Sequence, residues 1–384
     1  MNAPKTVSFS GAELLKIKKE GALPEGALSA LKAQADAHLN SPRMSVIDRE
    51  ARAVSQNPHD YASYGPYWWP NPDTPDGLPY VRRDGEILPG TLEDITPRKM
   101  ARKVLELTLA AFYFDSEEYG RAAERAIYDW HLNPETYMTP HAEYAQAIPG
   151  ICTGRGIGIV DFAYSYQVLD SAAILDYLGF ISKDNLSALK KWYSDFADWM
   201  LTSEKGLEED TEKNNHGTFY DIQLLAIAIF TGRDALAKKI CDTGYHRRFK
   251  SQIEPDGKMP LELARTMALH YSLANIRGYA VYASMALAAG YDAYVKPDEE
   301  SGVCLVRAAI DFIYPYVINP ETFPYKESFN EDVFPTIPDL MHMALRFARA
   351  NFPNSGYDEK IAELSKKNSG VAAASSSLCA ILRP

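Results

Sequence analysis

A chain of 384 residues with 46% hydrophobic and 24% charged side chains can bury a large core and has an ordinary globular composition. Its formal net charge of −11 argues against nucleic acid and anionic membranes as partners. No stretch is long and apolar enough to span a bilayer, and Cys152, Cys241, Cys304 and Cys379 are too scattered for a metal site or a disulfide framework.

Met1 to Glu20 carries Lys5, Lys16, Lys18 and Lys19 but no continuous apolar run of the kind a secretion signal needs. The expectation is a soluble protein, cytoplasmic as written, or periplasmic or secreted if a leader was removed. From His59 to Thr91 the helical pattern is absent. Pro66, Pro70, Pro72, Pro75, Pro79 and Pro89, with Pro58 at the edge, remove backbone donors and fix φ, which predicts a long ordered excursion. Such loops in compact domains are often functional; the alternative is a plug over the end of a helical barrel. Tyr67 and Trp68 suit stacking on pyranose rings, with Trp69 packed inward. The chain's 24 Tyr and 5 Trp fit a wet sugar groove, although tyrosine also packs in helical cores.

Apolar residues then recur at helical spacing over Pro97 to Tyr119, Ile159 to Leu178, Asn185 to Leu201, Phe219 to Phe230, Leu261 to Ala289, Val303 to Tyr316 and Ile337 to Ala350. Glycines punctuate them, as at Gly179, Gly232, Gly257 and Gly290. Strand-like alternation is scarce. Repeated antiparallel helix pairs predict an all-α chain forming an incomplete (α/α) toroid of about six to seven hairpins, with residues 1–384 as one catalytic domain and 59–91 as its loop excursion. A helical solenoid is the rival, but no repeat of fixed period is visible. Cys241 and Cys304 lie among small and apolar residues, which predicts buried thiols. Gly154-Arg155-Gly156-Ile157-Gly158 lacks the strand–turn–helix frame of a phosphate loop and predicts a close-packed bend opening a helix, from which Arg155 can reach an anionic sugar.

Two segments carry most of the chemistry. Asn214-Asn215-His216 stands before a helix expected to begin near Thr218, where N–H groups and the helix dipole favour an anion. An asparagine there also serves as an ordinary cap. The second segment, Glu262-Leu263-Ala264-Arg265 running on to Leu269-His270-Tyr271, opens a helix after Pro260. On one continuous helix Arg265 and Tyr271 would lie about 120° apart and flank a groove. The plainer alternatives are an i, i+3 salt bridge from Arg265 to Glu262 and a core role for Tyr271.

With Tyr67-Trp68-Trp69-Pro70-Asn71-Pro72 and Gly77-Leu78-Pro79-Tyr80, these segments resemble the alginate lyase family of polysaccharide lyases, from roughly His59 to Tyr279. The resemblance implies an α/α toroid and β-elimination of β-1,4-linked polyuronates. It assigns Asn215 and Arg265 as carboxylate neutralisers, Tyr271 as the phenolic acid/base and His216 as base or charge partner. The arginine-to-tyrosine spacing differs by one residue from the mannuronate lyase branch and is closer to the branch with glucuronan and mannuronan lyases. Asn214, His270, Tyr67, Trp68 and Arg155 complete the expected substrate contacts, and no cofactor or metal is called for.

The chemistry is consistent with that set. The proton on C5 of a uronate is weakly acidic because the adjacent carboxylate is already negative, so donors on that carboxylate stabilise the developing dianion. A base takes the C5 proton and an acid protonates the leaving oxygen on C4. The expected partner is therefore an anionic polysaccharide, bound in a cleft whose local charge opposes the net charge. His141-Ala142-Glu143 lacks the partners of a zinc site, and Asp73 to Gly77 lacks the ligands of a calcium loop. Two other classes compete: a glycoside hydrolase using paired carboxylates such as Asp161 and Glu262, and a noncatalytic uronate-binding protein.

Overall fold

The computed structural model describes residues 3–21, 23, 25–91, 96–328 and 337–367, so Cys379 lies outside the described residues. In chain order the helices are α1 (Gly11–Glu20), α2 (Glu25–Leu39), α3 (Thr96–Phe114), α4 (Glu117–His131), α5 (Tyr166–Leu178), α6 (Lys183–Thr202) and α7 (Glu204–Asp210). They continue as α8 (Asn215–Thr231), α9 (Asp234–Gly244), α10 (Pro260–Leu263), α11 (Ala268–Ala288), α12 (Leu305–Ile318), α13 (Ile337–Asn351) and α14 (Tyr357–Lys367). The strands β1 (Ala62–Tyr64), β2 (Trp68–Trp69), β3 (Val81–Arg82) and β4 (Tyr144–Ala147) are all short. The protein is all-α in class. Its described residues form two compact units, one within Met1–Ala33, Lys213–Leu225 and Asp234–Pro384, the other within Gln34–Glu212 and Ala226–Arg233.

Local signals set the helix ends. Ser182 caps α6 by accepting from the Asn185 N–H at 3.0 Å, and Gly179 closes α5 in the left-handed region at φ 78°. Along α6, Leu189, Trp192, Tyr193, Phe196, Ala197 and Met200 recur at three- and four-residue spacing and are buried, which is why this helix is legible in the sequence. The expected helices over Pro97–Tyr119 and Ile159–Leu178 prove to be interrupted. The Pro97–Tyr119 pattern crosses a corner where Asp115 takes φ 50° and Ser116 caps α4. The Ile159–Leu178 pattern begins as a 3-10 turn over Gly156–Phe162.

In the unit containing α3 to α7, α3 is buried on nearly all sides from Lys103 to Phe112 and packs against α4 and α5. His131, at the end of α4, is fully enclosed: its Nδ1 donates to the Ile127 carbonyl at 3.0 Å and its Nε2 accepts from the Tyr193 hydroxyl at 3.2 Å. Burial pulls the His131 imidazole down to about 4. β1 pairs in parallel with β4, and β2 antiparallel with β3, so the excursion after His59 is ordered by ladders and turns.

In the other unit α11 is buried along its length and packs against α12 and α13. Tyr282 and Tyr294 are buried here with satisfied hydroxyls, donating to the carbonyls of Ile240 at 2.9 Å and Cys241 at 2.7 Å. Part of the tyrosine enrichment thus serves the core. Cys241 is buried, and burial pushes its thiol up to about 11. Cys304 is only half-buried, because it precedes α12 at the cap position rather than lying inside a helix.

The Gly154–Gly158 stretch is a close-packed bend. A Cβ on Gly154 would lie 2.1 Å from the Glu143 carbonyl oxygen, and one on Gly158 would lie 2.6 Å from that of Ala145. Gly154→Ala should therefore lower stability by about 1–3 kcal/mol, read from the shift in urea midpoint at unchanged slope. An unshifted midpoint would mean that the bend relaxes freely.

The buried His131 gives a second expectation. Its imidazole titrates near 6.5 when unfolded and about 4 when folded, so the unfolded chain binds the extra proton between those values. Its contribution is present above pH 6.5 and lost as pH falls toward 4. His131→Gln should flatten the decline of melting temperature across that window, measured by calorimetry at a series of pH values.

Candidate active site

α8 begins at Asn215, not near Thr218. Asn214 is its cap: its Oδ1 accepts from the His216 N–H at 3.0 Å and its carbonyl from the Thr218 N–H at 3.3 Å. The capping alternative therefore holds for Asn214 and leaves Asn215 for other work. Asn215 is buried, and its backbone N–H donates to Glu262 Oε1 at 2.6 Å. Its side-chain Nδ2 lies 3.0 and 2.9 Å from the two Glu262 oxygens. Asn275 Nδ2, from α11, adds a donor to Glu262 Oε1 at 3.1 Å.

A second layer holds this one. Gln252 Oε1 accepts from Asn275 at 3.0 Å, from the Tyr279 hydroxyl at 2.7 Å and from Thr218 Oγ1 at 3.2 Å. Glu262 is 1% exposed. Burial pushes its carboxyl above the usual carboxylate range, a rise that the Asn215 N–H groups and the charges of Arg265 and His216 offset only in part. This one carboxylate thus lies beside three of the expected site residues.

Arg265 is not on a helix. α10 stops after Leu263 and α11 starts at Ala268, so the expected continuous Leu261–Ala289 helix, and the 120° argument built on it, do not hold. The break is held from elsewhere in the sequence. Ala268 N–H donates to the Lys326 carbonyl at 3.1 Å, Ser328 N–H donates to the Thr266 carbonyl at 2.9 Å, and Met267 bridges Glu327. The Glu327 carboxylate caps α11 by accepting from the N–H groups of Leu269 at 2.6 Å and His270 at 3.3 Å. The break lets the Arg265 guanidinium sit 4.0 Å from the centre of the Tyr271 ring. His216, Arg265 and Tyr271 are partly exposed, whereas His270 is buried with its ring edge-on to Tyr271 at 5.6 Å.

Trp68 and Arg155 lie together in the other unit, which also contains Tyr67. Arg155 donates to the Gln146 carbonyl at 2.9 Å and to Gln146 Oε1 at 3.0 Å, with its guanidinium 5.9 Å from the Trp68 ring centre. Tyr67 and Trp68 are half-buried. Trp69 does not pack inward. It is equally half-exposed, lies under Arg83 at 5.0 Å, and donates from Nε1 to the Glu86 carbonyl at 2.9 Å.

The paired-carboxylate alternative fares poorly. Asp161 is fully buried and accepts from Tyr61 at 2.9 Å, Ser63 at 2.6 Å and Gln146 at 3.1 Å. Glu262 is likewise enclosed by amides, so neither carboxylate is open as a general acid. Among the described residues no group of three or more His, Cys, Asp or Glu side chains is placed to hold a metal ion, and no helix is long and apolar enough to cross a membrane. Sequence reading missed Glu327, Asn275 and Gln252, which act through tertiary contacts that no local motif announces.

The alginate lyase family model matches residues 46–323. An alginate lyase from Bacteroides ovatus shares 34% identity over 94% of this chain and 96% of its own, with a TM-score of 0.88. The chain belongs to the alginate lyase family. It is therefore a polysaccharide lyase with the α/α toroid fold that the paired helices predict. A variant of alginate lyase A1-III in complex with a tetrasaccharide has 14% identity, coverage of 88% and 90%, and a TM-score of 0.51, a likeness of fold alone. The structure of that enzyme from Sphingomonas species A1 shows 14% identity, coverage of 85% and 88%, and a TM-score of 0.48. No curated protein matches the chain.

For this alginate lyase family member, Asn215→Ala and Arg265→Ala should each lower turnover by about 10²-fold or more, the usual loss for one donor on a developing anion. Full activity in both folded variants would mean that the substrate carboxylate is held by other groups.

Proposed function

We propose that this chain cleaves β-1,4-linked polyuronate, either mannuronan (alginate) or glucuronan, by β-elimination that leaves an unsaturated uronate end. The observation that carries this reading is the Arg265 guanidinium 4.0 Å from the centre of the Tyr271 ring. A cation at that distance stabilises the negative charge that develops on the phenol oxygen as it gives up its proton.

In this reading Asn215 and Arg265 bind the carboxylate of the uronate whose C5 proton is removed, doing the neutralising without a metal ion. In mannuronate and glucuronate the C5 proton and the C4 oxygen lie on the same side of the ring. The Tyr271 oxygen, as phenolate, takes the proton from C5; the electron pair forms the C4–C5 double bond as the C4–O bond breaks. The same phenol then returns the proton to the leaving oxygen. His216, beside Asn215 and within electrostatic reach of Glu262, acts as the charge partner of this step. Guluronate, with the two groups on opposite faces, would need His216 and Tyr271 to divide the work. Tyr67, Trp68 and Arg155 bind sugar units.

The test is ultraviolet absorbance of unsaturated ends across purified mannuronan, guluronan and glucuronan. A signal on mannuronan or glucuronan is expected; new reducing ends without absorbance would select hydrolysis instead. Tyr271→Phe removes the hydroxyl whose oxygen takes the C5 proton and returns it to the leaving group, so kcat should fall by about 10²–10⁴-fold with little change in KM. Unchanged turnover in a folded Tyr271→Phe protein would remove this residue from the mechanism.

A further inference from the structure

Glu262 is beneath the reacting groups rather than among them, yet its contacts decide how Asn215 is presented. An ionised carboxylate only accepts hydrogen bonds, so the Asn215 amide must turn its nitrogen, not its oxygen, toward it. The separations of 3.0 and 2.9 Å to the two Glu262 oxygens place one N–H between them. The second N–H of the same nitrogen, and Oδ1, then point away from Glu262. The backbone N–H of Asn215, 2.6 Å from Oε1, fixes the first residue of α8 against the same carboxylate. Asn275, itself tied to Gln252, prevents Glu262 from turning away.

We propose that Glu262 is a positioning residue, which locks the Asn215 amide in the single orientation that offers an N–H, rather than an oxygen, to the substrate carboxylate. This rests on the polyuronate lyase reading above. Released from Glu262, the amide can flip and set Oδ1 against the substrate anion, turning an attraction into a repulsion.

Glu262→Gln separates this role from simple support. A glutamine keeps the shape, and its Oε1 still accepts the backbone N–H of Asn215, so the start of α8 remains capped. Its side-chain amide, with one oxygen and one nitrogen, can pair with either orientation of Asn215. The expected result is a folded protein with kcat lowered by about 10–100-fold, part of the loss for removing a donor outright, and with KM changed by less than about threefold. In an Asn215→Ala background, Glu262→Gln should lower kcat by less than about threefold, because the group it acts through is gone. Wild-type kcat in Glu262→Gln, or losses that multiply in the double variant, would overturn the proposal.

Side-chain amide NMR of asparagine-labelled protein gives a readout that needs no turnover. Asn215 should show one amide proton shifted downfield and protected from exchange, and Glu262→Gln should abolish both features. An Asn215 signal indifferent to Glu262→Gln would also overturn the proposal. Failure of the unsubstituted enzyme to release unsaturated product from any polyuronate would instead count against the proposed function, and the NMR result would stand apart from it.

Discussion

A buried carboxylate is the constraint around which this site is organised. Taking an ionised Glu262 out of water is expensive unless its oxygens are matched by donors. The chain supplies them from two helices: the backbone and side chain of Asn215 at the start of α8, and Asn275 on α11. Each of these donors has to be where it is for the others to work. The layer below, Gln252 with Tyr279 and Thr218, extends the network until it meets the apolar packing of α11. Removing one member would leave buried polar atoms without partners, which costs far more than the net worth of a single hydrogen bond.

The same device recurs in the other unit. Asp161 accepts from Tyr61, Ser63 and Gln146, and Gln146 in turn presents its oxygen to Arg155. In both places a carboxylate that never meets solvent fixes the polarity of an amide, and the amide sets what lies above it. These two acids looked like a hydrolytic pair in the sequence because Asp and Glu side chains carry no label for burial. Their enclosure distinguishes an acid that reacts from an acid that supports.

How much was legible depended on whether the signal was local. α6, α8, α12 and α13 repeat large apolar residues at helical spacing and were visible. α4 was missed because its buried stripe is Tyr119, Gly120, Ala123, Ile127 and Trp130, a mixture of small and aromatic residues that blurs the period. Asn215, Arg265 and Tyr271 could be named because their residue types suit the chemistry and their motifs resemble a family. The break between α10 and α11 could not be seen. Leu263-Ala264-Arg265-Thr266-Met267 has no Gly or Pro, and its helical preference is overridden by pairing with Lys326 to Ser328, some sixty positions away. Glu327 was invisible for the same reason.

That break also bears on how the site tolerates change in length. On an unbroken helix, inserting one residue between an arginine and a tyrosine rotates one against the other by about 100° and destroys their alignment. Here the residues from Ala264 to Met267 are irregular, and their hydrogen bonds run to a separate strand of chain. A loop of this kind can lengthen or shorten by a residue while Tyr271 keeps its face on α11. A spacing longer or shorter by one residue between the arginine and the tyrosine would therefore not require a different geometry of the pair. Evolution can edit the connector and leave the stacked pair intact.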